Sequence, residues 1–223
     1  MADMDSYFPF WKGLTQKQQE KLAFASSQKR FAKGALLHAG EGECTGLIVV
    51  KSGMLRAYLA NEEGRGLTLF RLLERDICLF SASCVMNDIQ FDVSVEAQED
   101  SEVIHVPSEV YKELAESSLP VMEYTNRLMA SRLSDVMWLM DQVLNKSLDS
   151  RIAAFLIEEY ELRGTRELKL THEKIGSHLG SAREVITRML KHFQRDGLIR
   201  SGRGSIVLED LSGLYRLAEK SLR

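Results

Sequence analysis

The sequence predicts an α+β protein in which an N-terminal antiparallel β-barrel or jelly roll, a long helix and a C-terminal, mostly helical domain follow one another. Three observations carry that prediction. Short β-branched runs broken by turn residues fill the stretch from about Phe31 to Val106. Apolar or interface positions then recur in steps of four and three from Met122 to Val143, the period of a long helix. Finally, the charge is unevenly divided: Arg163 to Ile206 holds ten Lys/Arg against four acids, net +6, while the whole chain carries −3 and the remainder therefore −9. A basic segment on an acidic body is the footprint of one module that faces phosphate.

The totals narrow the class. With 223 residues and 44% hydrophobic composition, the chain can build cores for one large or two ordinary domains. No apolar run approaches the roughly 20 residues of a membrane span, and the start MADMDSYFPF lacks the regions of a signal peptide, so a cytoplasmic protein without a membrane partner is expected. Cys44, Cys78 and Cys84 are an odd count without close metal-ligand spacing, which disfavours a disulfide framework and a zinc site.

Each element has its own signal. Residues 14–27, with Leu14, Leu22 and Phe24 among polar residues, read as a short leading helix. Strands are expected at Leu36–His38, Leu47–Val50, Leu55–Leu59, Leu67–Leu72, Phe91–Val95 and Val103–Val106, separated by turns such as Gly40-Glu41-Gly42, Lys51-Ser52-Gly53 and Asn61-Glu62-Glu63-Gly64. After Pro107 the strand signals stop and Ser108–Ala115 reads as a helix. The long helix covers Pro120 to about Lys146, with Met122, Asn126, Met129, Leu133, Val136, Met140 and Val143 in line. That stripe fits a coiled-coil dimer seam with Asn126 setting register, and equally a core helix packed within one chain. Leu128, Trp138, Leu139 and Leu144 lie off it and suggest a second packed face. A polar interruption at 145–149 and a further helix, Ser150–Glu161, lead into the C-terminal part.

Leu168 to Phe193 divides into two short helices. Thr171 can cap the first, which carries Ile175 and Leu179 on one face; Gly176 permits close approach, Gly180 makes the turn, and Ser181 can cap the second. Ile186, Met189, Leu190 and Phe193 form a buried face of the second helix, leaving Glu184, Thr187, Arg188 and Lys191 opposite and Arg183 at its start. Guanidinium forks pair with guanine O6 and N7, and a carboxylate accepts from cytosine N4, so Arg183, Glu184 and Arg188 are the candidate readers of base edges in a major groove. Ser181 to Glu184 also fits a capping box, in which the carboxylate would serve the helix instead. Two short strands around a glycine turn, residues 197–208, would form a wing. Thr171, Ser181, Thr187, Lys191, Arg200 and Arg203 are the candidates for the DNA backbone.

The string from Thr171 to Leu190, with Ile175-Gly176, Leu179-Gly180-Ser181, Arg183-Glu184 and Arg188, resembles the winged helix-turn-helix of the Crp/Fnr regulators. Gly34, the Gly40-Glu41-Gly42 turn, Lys51-Ser52-Gly53 and the long helix are similar to that family's cyclic-nucleotide-binding-type barrel and dimer helix. The resemblance implies an effector domain over 1–119, a dimerisation helix and hinge over 120–147, and a DNA-binding domain over 148–223. It further implies a homodimer on a palindromic operator with TGTGA-like or TGA-containing half-sites, and RNA polymerase as a partner.

The sensor half departs from the nucleotide-binding pattern. Where that pattern has an Arg-Ser or Arg-Thr pair for the cyclic phosphate, Gln90-Phe91-Asp92 stands, and a carboxylate there would repel it; cyclic AMP is not expected. Three cysteines are too few for a four-thiolate iron–sulfur cluster. Cys78, Ser81, Ser83 and Cys84 remain as candidates for an unknown small-molecule or redox effector, against the ordinary alternative that the cysteines simply pack. His38 and His105 could ligate haem but are more ordinary as structural residues, and they are too few for a cupin-like metal enzyme. A regulatory interaction module without DNA binding would have no use for the basic helix-turn-helix.

Overall fold

The structure is a computed structural model that describes residues 4–38, 46–60, 66–79 and 93–222. The chain folds as two compact units, one of residues up to 60 with 69–135, the other of residues 61–68 with 136–223. This division falls inside the long helix, whereas domain boundaries were expected at 119/120 and 147/148.

In the first unit, α1 (Met4–Tyr7), a short 3-10 helix (Trp11–Gly13) and α2 (Gln16–Ala25) precede the strands. Thr15 starts α2 with a capping box completed by Gln18. The strands β1 (Ser27–Phe31), β2 (Leu36–His38), β3 (Leu47–Ser52), β4 (Leu55–Ala60), β5 (Gly66–Leu72, of which 69–72 belong to this unit), β6 (Ile77–Cys78), β7 (Val93–Ala97) and β8 (Ser101–Val106) form two four-stranded sheets, ordered β1-β8-β3-β6 and β2-β7-β4-β5. Neighbours in the registered pairs run antiparallel, as in β3–β8 with Val49 opposite Ile104. The fold is thus the expected α+β arrangement with an antiparallel N-terminal sandwich. Strand β1 gave no sequence signal, because SQKRF is nearly all exposed and pairs at an edge.

The run Leu47-Ile48-Val49-Val50 fails to alternate for a clear reason: both faces of β3 are buried. Ile48 and Val50 join Leu55, Ala57, Leu72, Val95 and Cys78 in one core, while Leu47 and Val49 join Phe8, Leu22, Ile104, Tyr111 and Val121 in another. That second core is closed by α3 (Ser108–Ser117) and the first turns of α4 (Leu119–Asn145). Tyr111 is fully buried there, its hydroxyl 2.6 Å from Thr125 Oγ1, and burial raises its pKa to about 12. Of the apolar residues of α2, Leu22 is fully buried and Phe24 is 94% exposed. So short a helix holds one apolar row, and Leu22 occupies it.

The α4 stripe is redistributed. Met122, Leu133, Met140 and Val143 are exposed as a seam requires, but Met129 packs against the first unit's core and Val136 is only half exposed. Met137 and Leu144 are exposed instead, Leu144 at 74%, so Leu144 does not belong to a packed second face; Leu128 does. The reason is rotation: 3.6 residues per turn carries a strict heptad row slowly round the helix, and the core captures Met129.

The second unit holds the end of α4, α5 (Leu148–Arg163), β9 (Glu167–Leu168), α6 (His172–Leu179), α7 (Arg183–Arg195), β10 (Ile199–Ser201), β11 (Ile206–Leu208) and α8 (Leu211–Ala218). Gly164, at φ 64°, ends α5 in the left-handed conformation that glycine adopts without penalty. One core runs through Ile152, Leu156, Leu168, Ile175, Ile186, Leu190, Phe193, Ile206 and Leu214. No helix among the described residues is long and apolar enough to cross a membrane.

Candidate nucleic-acid interface

Helices α6 and α7 are held at a tight turn. Thr171 caps α6 by accepting from the Lys174 N–H at 3.1 Å, and Gly180, at φ 66°, ends it. The Ser181 N–H then bonds back to the Gly176 carbonyl at 2.9 Å, so close that a Cβ on Gly176 would lie 2.5 Å from the Ser181 oxygen. This bond draws Ser181 into the turn. The N-cap of α7 is consequently Ala182, which supplies no side-chain cap, and not Ser181 as expected. Glu184 moves to the second helical position and no capping box forms.

Helix α7 divides as its sequence requires. Ile186, Leu190 and Phe193 are buried, Met189 packs at their margin, and Arg183, Glu184, Arg188 and Lys191 are exposed. The two arginines and the carboxylate thus share the first turns of a helix whose apolar face is spent on the core. Glu184 makes no ion pair among the described residues. Thr187 behaves differently from its expected backbone role: its hydroxyl donates to the Arg183 carbonyl at 2.8 Å and lies 2.9 Å from His172 Nδ1. Its one donor is therefore used within the protein, and a phosphate has no proton to give it.

The wing is a three-stranded sheet ordered β10-β11-β9, in which Ile199 pairs with Leu208 and Ile206 with Leu168. Strand β9 was not expected; two residues are too short to show a period. At the tip, Gly202 N–H bonds to the Ser205 carbonyl at 2.8 Å and Gly204 has φ 77°, presenting exposed Arg203. Arg200 is exposed too, and its Nε bonds Glu209 at 2.9 Å. Such a surface pair is weak and uses one of five guanidinium donors, so Arg200 keeps donors for phosphate. The wing is tied to α7 by the Ser201 N–H, which donates to Gln194 Oε1 at 3.2 Å. His172 carried no sequence signal, since its partners Thr187 and Ser201 lie 15 and 29 positions along the chain, and Gln194 carried none because its bond to Ser201 needs the turn between α7 and β10 to be formed.

A β-sandwich followed along the chain by a basic helix-turn-helix with an antiparallel wing is a specific combination, and known proteins match both halves. Residues 150–217 match the Crp-like helix-turn-helix domain, and residues 28–118 match the cyclic nucleotide-binding domain. The transcriptional regulator SdrP of Thermus thermophilus is 30% identical over 180 residues, covering 76% of this chain and 82% of its own. The chain belongs to the Crp/Fnr family of transcriptional regulators.

Two further relatives place this Crp/Fnr regulator within the family. The anaerobic regulatory protein of Haemophilus influenzae is 27% identical over 197 residues, 85% of this chain and 76% of that one. A crystal structure of a Crp/Fnr-family regulator from Eubacterium rectale superposes with a TM-score of 0.93 at 49% identity, covering 96% of this chain and 99% of that one. The relatives are transcriptional regulators rather than enzymes, and this Crp/Fnr protein is a DNA-binding regulator of the same type.

In the N-terminal domain, Cys78 is 1% exposed on β6, among the apolar residues of the sandwich interior. A thiol so placed packs as a small hydrophobe, and oxidation would require the sheet to open. Ser81, Ser83, Cys84 and the Gln90-Phe91-Asp92 segment lie outside the described residues.

Proposed function

We propose that the protein is a homodimeric, sequence-specific regulator that reads a palindromic operator with Arg183, Glu184 and Arg188 and grips phosphate with Thr171, Ser181, Lys191, Arg200 and Arg203. The carrying observation is the single exposed face of α7, on which those three readers stand in the first turns while Ile186, Leu190 and Phe193 are buried behind them. The test is selection from random DNA. Wild type should enrich a two-fold symmetric site, and Arg188→Ala should lose about 1–3 kcal/mol and relax preference at one base pair per half-site. Identical enriched sites from both proteins would defeat the assignment.

The partner along α4 is a second copy of this chain. Met122, Leu133, Met137 and Met140 are 45–63% exposed on one helix, at the spacing by which a parallel coiled coil buries apolar side chains. Asn126, exposed in the same row, sets the register. Two recognition helices related by the dimer axis then meet half-sites about one DNA turn apart.

An effector acting at the N-terminal domain sets the dimer's affinity for DNA, and RNA polymerase is the further partner, as the family resemblance implies. With Cys78 buried, a redox signal would act through Cys84 and a small ligand through the Ser81–Ser83 segment. Oxidant and ligand titrations of DNA binding, with Cys84→Ser alongside wild type, separate the two.

A further inference from the structure

The winged domain contains one polar chain that neither the core nor the exposed reading face explains. His172, the first residue of α6, is half-buried and lies between two elements distant in sequence: its Nδ1 is 2.9 Å from Thr187 Oγ1 on α7, and its Nε2 is 3.4 Å from Ser201 Oγ on β10. Thr187 in turn donates its only hydroxyl proton to the carbonyl of Arg183, at 2.8 Å. That commitment fixes the polarity of the rest. Because Thr187 has no proton left for the imidazole, His172 must be the donor at Nδ1, which leaves Nε2 as an acceptor for the Ser201 hydroxyl. Burial, and then the nearby charge of Arg183, hold His172 below its ordinary pKa, so the ring is neutral at neutral pH as this polarity needs.

We propose that His172 is a positioning residue for DNA reading: the relay Ser201 to His172 to Thr187 to the Arg183 carbonyl locks the wing and the first turn of α7 into one arrangement, so that the base preference set by Arg183 depends on a histidine that need not touch DNA. The first turn of α7 has no side-chain cap to hold it, its N-cap being Ala182. Gln194 ties the wing to the other end of the same helix through the Ser201 N–H. With His172 the wing is fastened to α7 at both ends, and the two surfaces that would meet DNA move as one body. This proposal rests on the reading of Arg183 as a base-contacting residue.

Two measurements test it. The first needs no DNA. Long-range proton–nitrogen correlation spectra of the full-length protein at neutral pH should show His172 as the Nδ1–H tautomer, its signal identified by its loss in His172→Asn, and Thr187→Val should release the ring to the Nε2–H form that exposed imidazoles prefer. An Nε2–H ring in wild type, or a tautomer indifferent to Thr187→Val, overturns the relay. The second is selection from random DNA. His172→Phe should lose preference at the base pair that Arg183→Ala also loses, by about 5- to 150-fold in discrimination. His172→Asn, whose amide can still donate to Thr187 from the Nδ1 position, should restore it; His172→Gln, which reaches toward Ser201 instead, should not. If His172→Phe weakens all sequences alike and enriches the wild-type site, His172 is a general folding or phosphate contact and the proposal fails. If Arg183→Ala itself enriches the wild-type site, Arg183 is not a reader and the specificity claim falls with it, while the tautomer still decides the relay.

Discussion

Glu184→Gln separates reading from folding because the structure assigns Glu184 no structural duty beyond its charge. Its carboxylate is exposed at the second position of α7, the N-cap Ala182 offers no box to close, and no ion pair engages it among the described residues. What the substitution removes from the free protein is the attraction of a carboxylate for the helix N-terminus, about 0.3–1 kcal/mol, and a weak interaction with Arg188 one turn on, about 0.2–0.5 kcal/mol. Against that stands the loss of an acceptor for cytosine N4, about 1–3 kcal/mol of discrimination, or roughly 5- to 150-fold between the right and wrong base. The variant should therefore unfold in urea within about 1.5 kcal/mol of wild type with an unchanged slope. Its site, selected from random DNA, should broaden at one base pair in each half-site while the other positions hold. Should the selected site stay sharp at every position, Glu184 reads no base. A stability loss well above 1.5 kcal/mol would mean that Glu184 carries a structural load absent from this geometry.

Ile186, fully buried between α6 and α7, should cost about 2–5 kcal/mol when cut to Ala and about 1 kcal/mol when cut to Val; urea unfolding checks the ratio, and equal costs would refute close packing there. Wild type should be a dimer in light scattering and Leu133→Glu with Met137→Glu should leave a monomer of 25.3 kDa; a double variant that remains dimeric would remove α4 as the interface. His172 has a lowered pKa in the folded protein, so below about pH 6.5 the unfolded chain takes up a proton that the folded ring resists. Its contribution is thus complete above that pH and lost as the pH falls toward the folded value. Thermal unfolding between pH 7.5 and 5.5 should fall more steeply for wild type than for His172→Asn, and parallel profiles would show that the imidazole is not titrating in this way. Lys191→Ala and Arg203→Ala, exposed on α7 and the wing tip, should each weaken all sequences alike and reduce the salt slope by about 1; an altered selected site would instead make either one a reader.

The amino-acid pattern alone determined whatever a local period can carry. Apolar residues at Ile186, Met189, Leu190 and Phe193 can face one way only on a helix, so the buried and exposed sides of α7 follow from spacing. The turn at Gly180, the Thr171 cap and most strands of the sandwich are legible for the same reason, each set by a few consecutive residues. Tertiary structure decided whatever depends on a second segment. The cap of α7 passed from Ser181 to Ala182 because a bond to Gly176 claimed the Ser181 backbone, and this removed the competing role of Glu184. Met129 left the α4 row because a core stood beside it, and Met137 stayed exposed. Thr187 was withdrawn from the exposed face by His172, 15 positions earlier, and His172 is joined to Ser201, 29 positions later. A hydrogen bond between distant residues leaves no period in a sequence, because its geometry exists only once the chain has returned to itself.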